Sequence, residues 1–398
     1  MERRKDPKGR VLKDGESFRK SDNLYTFRYR DPSGKVKAIY DSDLKKLRRR
    51  EEEILRDVND GIDYSAGRVS VIGLVERYIG LKQGVRYSTK VGYRFVLNLL
   101  KKEEFGLRPI GEIKPSDAQK WFIKLHRDGR GYSTLTSVRG VLKPAFQMAF
   151  EEDVVRRNPF DFIITKYVPN DSKRREALTD AEQKTWMDFI RNDETYCKYY
   201  DEFVILLGTG MRVSEFCGLT IKDLDFRKRR INVDHQLVRE RSGKYYVEKT
   251  KTECGRRIIP MTNEVYEAFK NILKKRPKLV PETVVDGYSG FILIDKNLKP
   301  KVSLHIENEC RWAMHKYKLL HPDNPLPHIS PHVYRHTFCT NMVNSGMDGK
   351  VLQYIMGHSE IGITMNIYTH MGPDRASAHM LEIVDGVGKG NDLVVGNV

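Results

Sequence analysis

Residues 326–342 read L-P-H-I-S-P-H-V-Y-R-H-T-F-C-T-N-M, and the fold of the C-terminal half turns on what the H-x-x-R within them does. Ser330 suits an N-cap and Pro331 the first helical position, so a helix is predicted from Pro331 to about Asn344, with Gly346 just past its end. His332 then lies in the first turn, with Arg335 one turn later on the same face. A helix N-terminus offers unpaired N–H groups and partial positive charge, which attract anions. His332 and His336 could instead hold a metal, but the Glu of H-E-x-x-H is missing and Arg335 would sit beside the dication. The stretch therefore favours a phosphate over a metal.

Three other stretches carry similar chemistry. In L-L-G-T-G-M-R-V-S-E-F-C-G-L (206–219), Gly208 and Gly210 are expected to break one helix and allow a tight turn. Arg212 then falls in the first turn of the next helix, with Glu215 one turn on to brace it. K-T-K-T-E-C-G-R-R-I-I-P (249–260) reads as a hairpin tip carrying Lys249 and Lys251. In I-M-G-H-S-E-I-G-I-T-M-N-I-Y-T-H (355–370), Gly357 ends a helix, His358 follows it, and Tyr368 lies on the next short helix.

The whole chain suits a polyanionic partner. Its 398 residues allow two or three domains. A formal charge of +17 favours nucleic acid, and an aromatic content of 10% argues against a disordered tail protein. There is no run of 18 or more apolar residues, and the start M-E-R-R-K-D-P-K has no apolar stretch behind it, so a soluble cytoplasmic protein is expected, with no membrane partner. The five cysteines are scattered without a C-x-x-C pair and read as reduced small hydrophobes, not as a disulfide or zinc framework.

The expected fold is multidomain and mainly α with small β-sheets. Residues 1–65 form a basic module in which Y-T-F-R-Y-R (25–30), D-P-S-G and K-V-K-A-I-Y (35–40) predict a hairpin, followed by a charged helix opening near Asp43. Arg28, Arg30, Lys35 and Lys37 would line one face of that sheet, and a β-ribbon fits the major groove; the bland reading is a solvated sheet face. Residues 69–167 read as four helices near 70–81, 88–102, 115–127 and 133–150, with Lys90, Arg94, Arg139 and Lys143 as candidate DNA contacts on a bundle. Ordinary bundles also carry basic solvated faces, so this spacing is weak evidence alone. A linker over 168–177 leads to a third domain, 178–384, with Thr179 as a helix cap and three short strands near 230, 246 and 258. Residues 374–384 read as a short amphipathic helix and 385–398 as a loose tail.

The ordered set R-x-x-E, a hairpin lysine, H-x-x-R, G-H and a tyrosine ten residues later, spread over about 160 residues, resembles the tyrosine recombinases, or phage-type integrases. T-G-M-R-V-S-E and M-G-H-S-x-I-x-x-T-M-N-I-Y-T-H are especially similar to integrases of conjugative transposons. The resemblance is strongest from Leu178 to His370 and looser over the helical middle and the N-terminal hairpin, which look like core-site and arm-site DNA-binding domains. It implies Tyr368 as nucleophile, Arg212 and Arg335 as phosphate clamps, His332 and His358 as further site members, Glu215 as support and Lys251 as the hairpin lysine, with Lys249 left open. It also implies a homo-tetramer on double-stranded DNA, an excision factor and a host DNA-bending protein as candidate partners, and no metal or other cofactor.

The chemistry agrees with those residue types. Strand exchange without an energy source must store the phosphodiester in a covalent protein linkage, which a tyrosine ester does. Two guanidiniums can hold the non-bridging oxygens and stabilise the added charge of the transition state. A positioned histidine can move the tyrosine's proton, an effect worth roughly 10²–10⁴ in rate. The rival readings are a DNA-binding regulator, which has no use for the ordered set, and a type IB topoisomerase, which has little use for a second DNA-binding module. A chromosome-dimer or plasmid resolvase of the same family usually lacks residues like 1–65.

Overall fold

The computed structural model describes residues 4–30, 36–59, 68–172, 176–250, 253–277 and 283–368. The chain divides into two compact units, Met1–Lys173 and Arg174–Val398, and the division falls inside the expected linker.

The first unit holds two separate apolar clusters. At its start β1 (Glu16–Arg19), β2 (Leu24–Arg30) and β3 (Val36–Asp41) form an antiparallel sheet in the order β1-β2-β3, backed by α1 (Leu44–Asn59). Asp43 caps α1 by accepting from the Lys45 and Lys46 amides. The hairpin is as expected, and β1 is additional. Its register corrects one expectation: Arg28 faces Ala38 and Arg30 faces Val36, whereas Lys37 faces Tyr29. Cross-strand partners share a face, so Lys37 lies on the side of Tyr25, Phe27 and Tyr29, which pack on Leu47, opposite Arg28 and Arg30. Lys35 lies outside the described residues.

The helical part of this unit comprises α2 (Val71–Gly80), α3 (Tyr87–Leu100), the single turn α4 (Glu104–Leu107), α5 (Pro115–Arg127) and α6 (Tyr132–Glu151). The four long helices follow the predicted apolar spacing around Phe122, Leu142 and Phe146, each fully buried. Lys90 and Arg94 are exposed on α3. Arg139 and Lys143 are tied down within the unit instead, Arg139 Nε donating to the Phe160 carbonyl at 2.9 Å and Lys143 Nζ pairing with Asp161 at 2.6 Å.

The second unit opens with α7 (Asp180–Asn192), where Thr179 and Glu182 cap each other's amides. Then come α8 (Tyr200–Thr209), α9 (Val213–Gly218), β4 (Leu224–Asp225), β5 (Arg230–Val233), β6 (His235–Arg239), β7 (Tyr245–Lys249), β8 (Arg257–Pro260), α10 (Asn263–Lys275), α11 (Ser303–Leu320), α12 (Pro331–Asn344), α13 (Gly349–Met356) and α14 (Ile361–Tyr368). The strands form two antiparallel sheets, β4-β5-β8 and β6-β7. The three expected strands appear as β5, β7 and β8, but β7 and β8 are not partners: β7 pairs with β6 and β8 with β5, in separate sheets. Trp186 and Tyr334 are fully buried, and the indole N–H donates to the Tyr334 hydroxyl at 2.8 Å, anchoring α12 to α7.

Cys217, Cys310 and Cys339 are buried, while Cys197 and Cys254 are exposed; all five are free thiols. Among the described residues no helix is long and apolar enough to cross a membrane. Residues 374–384 and 385–398 lie outside the described residues.

Candidate active site

α12 begins at Pro331 and ends at Asn344 as the sequence predicts, with Gly346 in the left-handed region beyond it. The cap differs from expectation. The Ser330 side chain makes no capping bond; its carbonyl accepts from the Val333 and Tyr334 amides at 2.8 and 3.1 Å. His332 is exposed, while Arg335, one turn on, is only 8% exposed because its neighbours Val333, Tyr334 and Phe338 drive that side of α12 into the core.

Gly208 and Gly210 have different jobs. Gly208 stays helical within α8, where a Cβ would lie 2.5 Å from Val265 of α10, so it serves close packing and does not break the helix. Gly210 ends the helix at φ 60°, and a Cβ there would meet Phe338 Cδ1 at 2.3 Å. That turn delivers Arg212 to the position just before α9, one residue earlier than expected, where Glu215 accepts from its amide at 3.0 Å and from its Nη1 at 2.7 Å.

Three arginines converge on the end of α13. A helix C-terminus leaves carbonyls without intrahelical partners and carries partial negative charge. Arg257 Nε donates to the Ile355 carbonyl at 2.6 Å, Arg335 Nη2 to Met356 at 2.5 Å and Arg212 Nη2 to Gly357 at 3.0 Å. Arg335 Nη1 reaches the Gly210 carbonyl at 2.6 Å. The two glycine turns are thus joined through Arg335, and both clamp candidates are fixed to one helix end. Arg257 went unnoticed in the sequence. Its signal is alternation: Arg257 and Ile259 both point inward from β8, and a charge at an inward strand position needs a buried partner.

That partner is Glu215, 2% exposed, which accepts from Arg257 Nη2 at 2.8 Å. Burial works to raise its carboxyl, but hydrogen bonds from Arg257 and the charges of Arg257 and Arg212 win, holding it below its ordinary value. Burial, with Arg212 and Arg257 nearby, brings the Arg335 guanidinium down to about 9, so it remains charged at neutral pH. His358 follows Gly357, and its Nδ1 lies 2.9 Å from the Thr364 hydroxyl. Burial and then the charges of Arg335, Arg212 and Arg257 lower its imidazole to about 4, leaving it neutral near pH 7.

The His358 shift sets the sign of a pH effect. Its folded value lies below the ordinary 6.5, so the unfolded chain takes up the proton first as the pH falls. This group therefore contributes stability above pH 6.5 that is lost as the pH drops through about 4. Thermal melts should show a steeper loss between these values for wild type than for His358→Gln; identical slopes would exclude His358 as the source.

Tyr368 is the last residue of α14, and its side chain lies outside the described residues. Lys251 lies outside them altogether, while Lys249 ends β7 exposed. His336 is partly buried, with Nδ1 3.4 Å from the Thr340 hydroxyl, and His370 lies outside the described residues. Among the described residues Asp223, Asp234 and His235 bring ligand atoms within 4.8 Å of one another, but His235 Nε2 is held by the Gly218 carbonyl at 2.8 Å and Asp223 by Thr220.

A clustered set of guanidiniums beside a neutral histidine, in a mainly helical unit with small antiparallel sheets, is an arrangement suited to phosphoryl transfer. The chain belongs to the phage integrase family: residues 176–375 match that family and residues 1–60 match the DNA-binding domain of the Tn916 integrase. It is 40% identical over 392 residues to the transposase from transposon Tn916 of Enterococcus faecalis, covering 95% of this chain and 96% of that one. The tyrosine recombinase XerA of Pyrococcus furiosus is 29% identical over 274 residues, covering 68% of this chain and 79% of its own. Among solved structures, the Tn1549 transposon integrase bound to a circular-intermediate DNA superposes with a TM-score of 0.76 at 39% identity, covering 79% of this chain and 99% of that one. The protein is therefore an enzyme, a tyrosine recombinase of DNA recombination.

Proposed function

We propose that this recombinase excises and integrates a mobile element of the conjugative-transposon kind, cutting one strand at a time through a 3′-phosphotyrosine intermediate. Similarity to the Tn916 transposase across nearly the whole chain, including the N-terminal module, carries this reading over that of a resolvase.

The Tyr368 hydroxyl attacks the scissile phosphorus, the bond to the 5′ oxygen breaks, and the protein is left esterified to the 3′ phosphate. The incoming 5′ hydroxyl of the partner strand reverses the step, so no bond energy is lost. Arg212 and Arg335 hold the non-bridging oxygens. Their fixation to successive backbone carbonyls supports this, because prearranged donors act on developing charge without reorganising. Lys251 gives a proton to the leaving 5′ oxygen. His332 and His358 are the groups available for the tyrosine proton, and the neutrality of His358 suits it to accept one. Glu215 supports Arg212.

The helical part of the first unit takes the core DNA sites, with Lys90 and Arg94 as its contacts, and residues 1–65 take arm sites through Arg28 and Arg30 on one sheet face. Four protomers act on two sites in the cytoplasm, aided by an excision factor and a DNA-bending protein.

The test is trapping on duplexes spanning the element's ends, nicked so that the released strand diffuses away, in chelator. A denaturation-resistant adduct whose digest gives a Tyr368-containing peptide on a 3′ phosphate is expected. No adduct on a duplex that the protein binds specifically would overturn the reading and favour a DNA-binding regulator.

A further inference from the structure

We propose that Arg257, which cannot itself reach a phosphate, is a positioning residue for cleavage: it locks the first clamp, Arg212, to the Gly357–His358 turn and to the Cys254–Gly255 turn that leads into β8. The inference rests on the roles proposed above for those residues.

Arg257 opens β8, and its side chain is 0% exposed, so it offers nothing to a ligand. Among the described residues its side-chain hydrogen bonds go to Glu215, Gly255 and Ile355, each beside a part of the site. Nη2 donates to Glu215 Oε2 at 2.8 Å and Nη1 approaches Oε1 at 3.3 Å, a fork on the carboxylate that also receives Arg212 Nη1 and the Arg212 amide. Glu215 is therefore held between two arginines, and the orientation of the half-exposed one follows from that of the buried one.

The remaining donors reach the other parts. Nε binds the Ile355 carbonyl, the first of the three successive carbonyls, two residues before Gly357. Nη1 also donates to the Gly255 carbonyl at 3.1 Å, at the end of the segment that begins after β7 and includes Lys251. The packing there is close. A Cβ on Gly357 would lie 3.0 Å from Arg257 Nη1 and 3.2 Å from the Cys254 carbonyl oxygen. The helix end, the Cys254–Gly255 turn and the brace of Arg212 thus meet at one guanidinium.

A planar fork is required for this. A lysine carries three donors on a point charge and could satisfy Glu215, but it could not also hold Ile355 and Gly255 at their separate angles. If Arg257 were merely a core ion pair, replacing it would lower stability and leave the folded enzyme cleaving normally.

The experiment compares wild type, Arg257→Lys and Arg257→Met in single-turnover cleavage of the nicked core duplex, with affinity measured on the same duplex and melts confirming that each protein is folded at the assay temperature. Arg257→Lys is expected to cleave ~10- to 100-fold more slowly while its Kd stays within about threefold, the size of loss seen when a supporting residue frees an oriented group. Arg257→Met should lose more. If the Met variant does not fold, the Lys variant decides alone. Wild-type cleavage rates in a folded Lys variant would overturn the inference, as would a loss confined to affinity. Absence of cleavage by wild type would instead count against the proposed function.

Discussion

Tyr368→Phe should bind its core duplex with wild-type affinity and leave no protein–DNA adduct. The substitution removes one oxygen from the last residue of α14 and keeps the ring, so neither helix propensity nor ring volume changes. What it removes is the atom that accepts the phosphoryl group. Removing a covalent nucleophile costs on the order of 10⁶ in rate in well-studied hydrolases, about 8 kcal/mol, whereas removing one preorganised donor costs ~10²–10³. The Tyr368 effect should therefore exceed that of any single arginine. Trapping and gel shift on one nicked duplex, run for both proteins, read the two quantities separately. An adduct formed by the Phe variant would mean that another side chain attacks, and the assignment would fail.

Residue spacing carries some parts of this site better than others. Pro331 fixes φ and lacks an N–H, so the start of α12 was legible from composition, as was its end near Asn344. The Ser330 capping bond was not: a side chain that makes no cap and a carbonyl already engaged leave no mark in a sequence. Gly208 and Gly210 look alike as letters, yet one answers to the approach of Val265 and the other to a left-handed φ. Only tertiary packing separates the two. Strand β6, H-Q-L-V-R, alternates too briefly to stand out, and its partner β7 makes it a strand. The same holds for Lys37: alternation counted from the turn gave no register, and pairing with Tyr29 assigned it to the other face. Arg335 was legible as a phosphate ligand but not as a buried residue holding two carbonyls, because burial is decided by elements more than 100 residues apart in the chain.

Lys301→Met should lower the melting temperature of the catalytic unit by about 6–20 °C, the product of ~3–5 kcal/mol for breaking a buried ion pair and ~2–4 °C per kcal/mol for a domain of this size. Lys301 Nζ lies 2.6 Å from Glu202 of α8 and 3.0 Å from Glu309 of α11, and all three residues are at most 9% exposed. Among the described residues the far oxygens of both carboxylates have no hydrogen-bond partner. Burial, opposed by Lys301 and reinforced by Glu309, raises Glu202 to about 7. Without Lys301 two buried carboxylates face each other, and the folded state must either take up a proton or open. Proton uptake limits the loss, which is why the lower end of the range is included. The cause is testable because the penalty belongs to uncompensated charge and not to lost volume: Lys301→Met combined with Glu202→Leu and Glu309→Leu should regain most of the melting temperature, since an apolar cluster of similar size is often as stable as the ion network it replaces. A single variant melting within about 2 °C of wild type, or a triple variant no better than the single, would show that the ammonium contributes little. The consequence for the active site runs along α8: Glu202 sits near its start and Gly210, whose carbonyl holds Arg335, closes its end, so a network that fixes this helix also fixes one of the two carbonyls that orient the guanidinium.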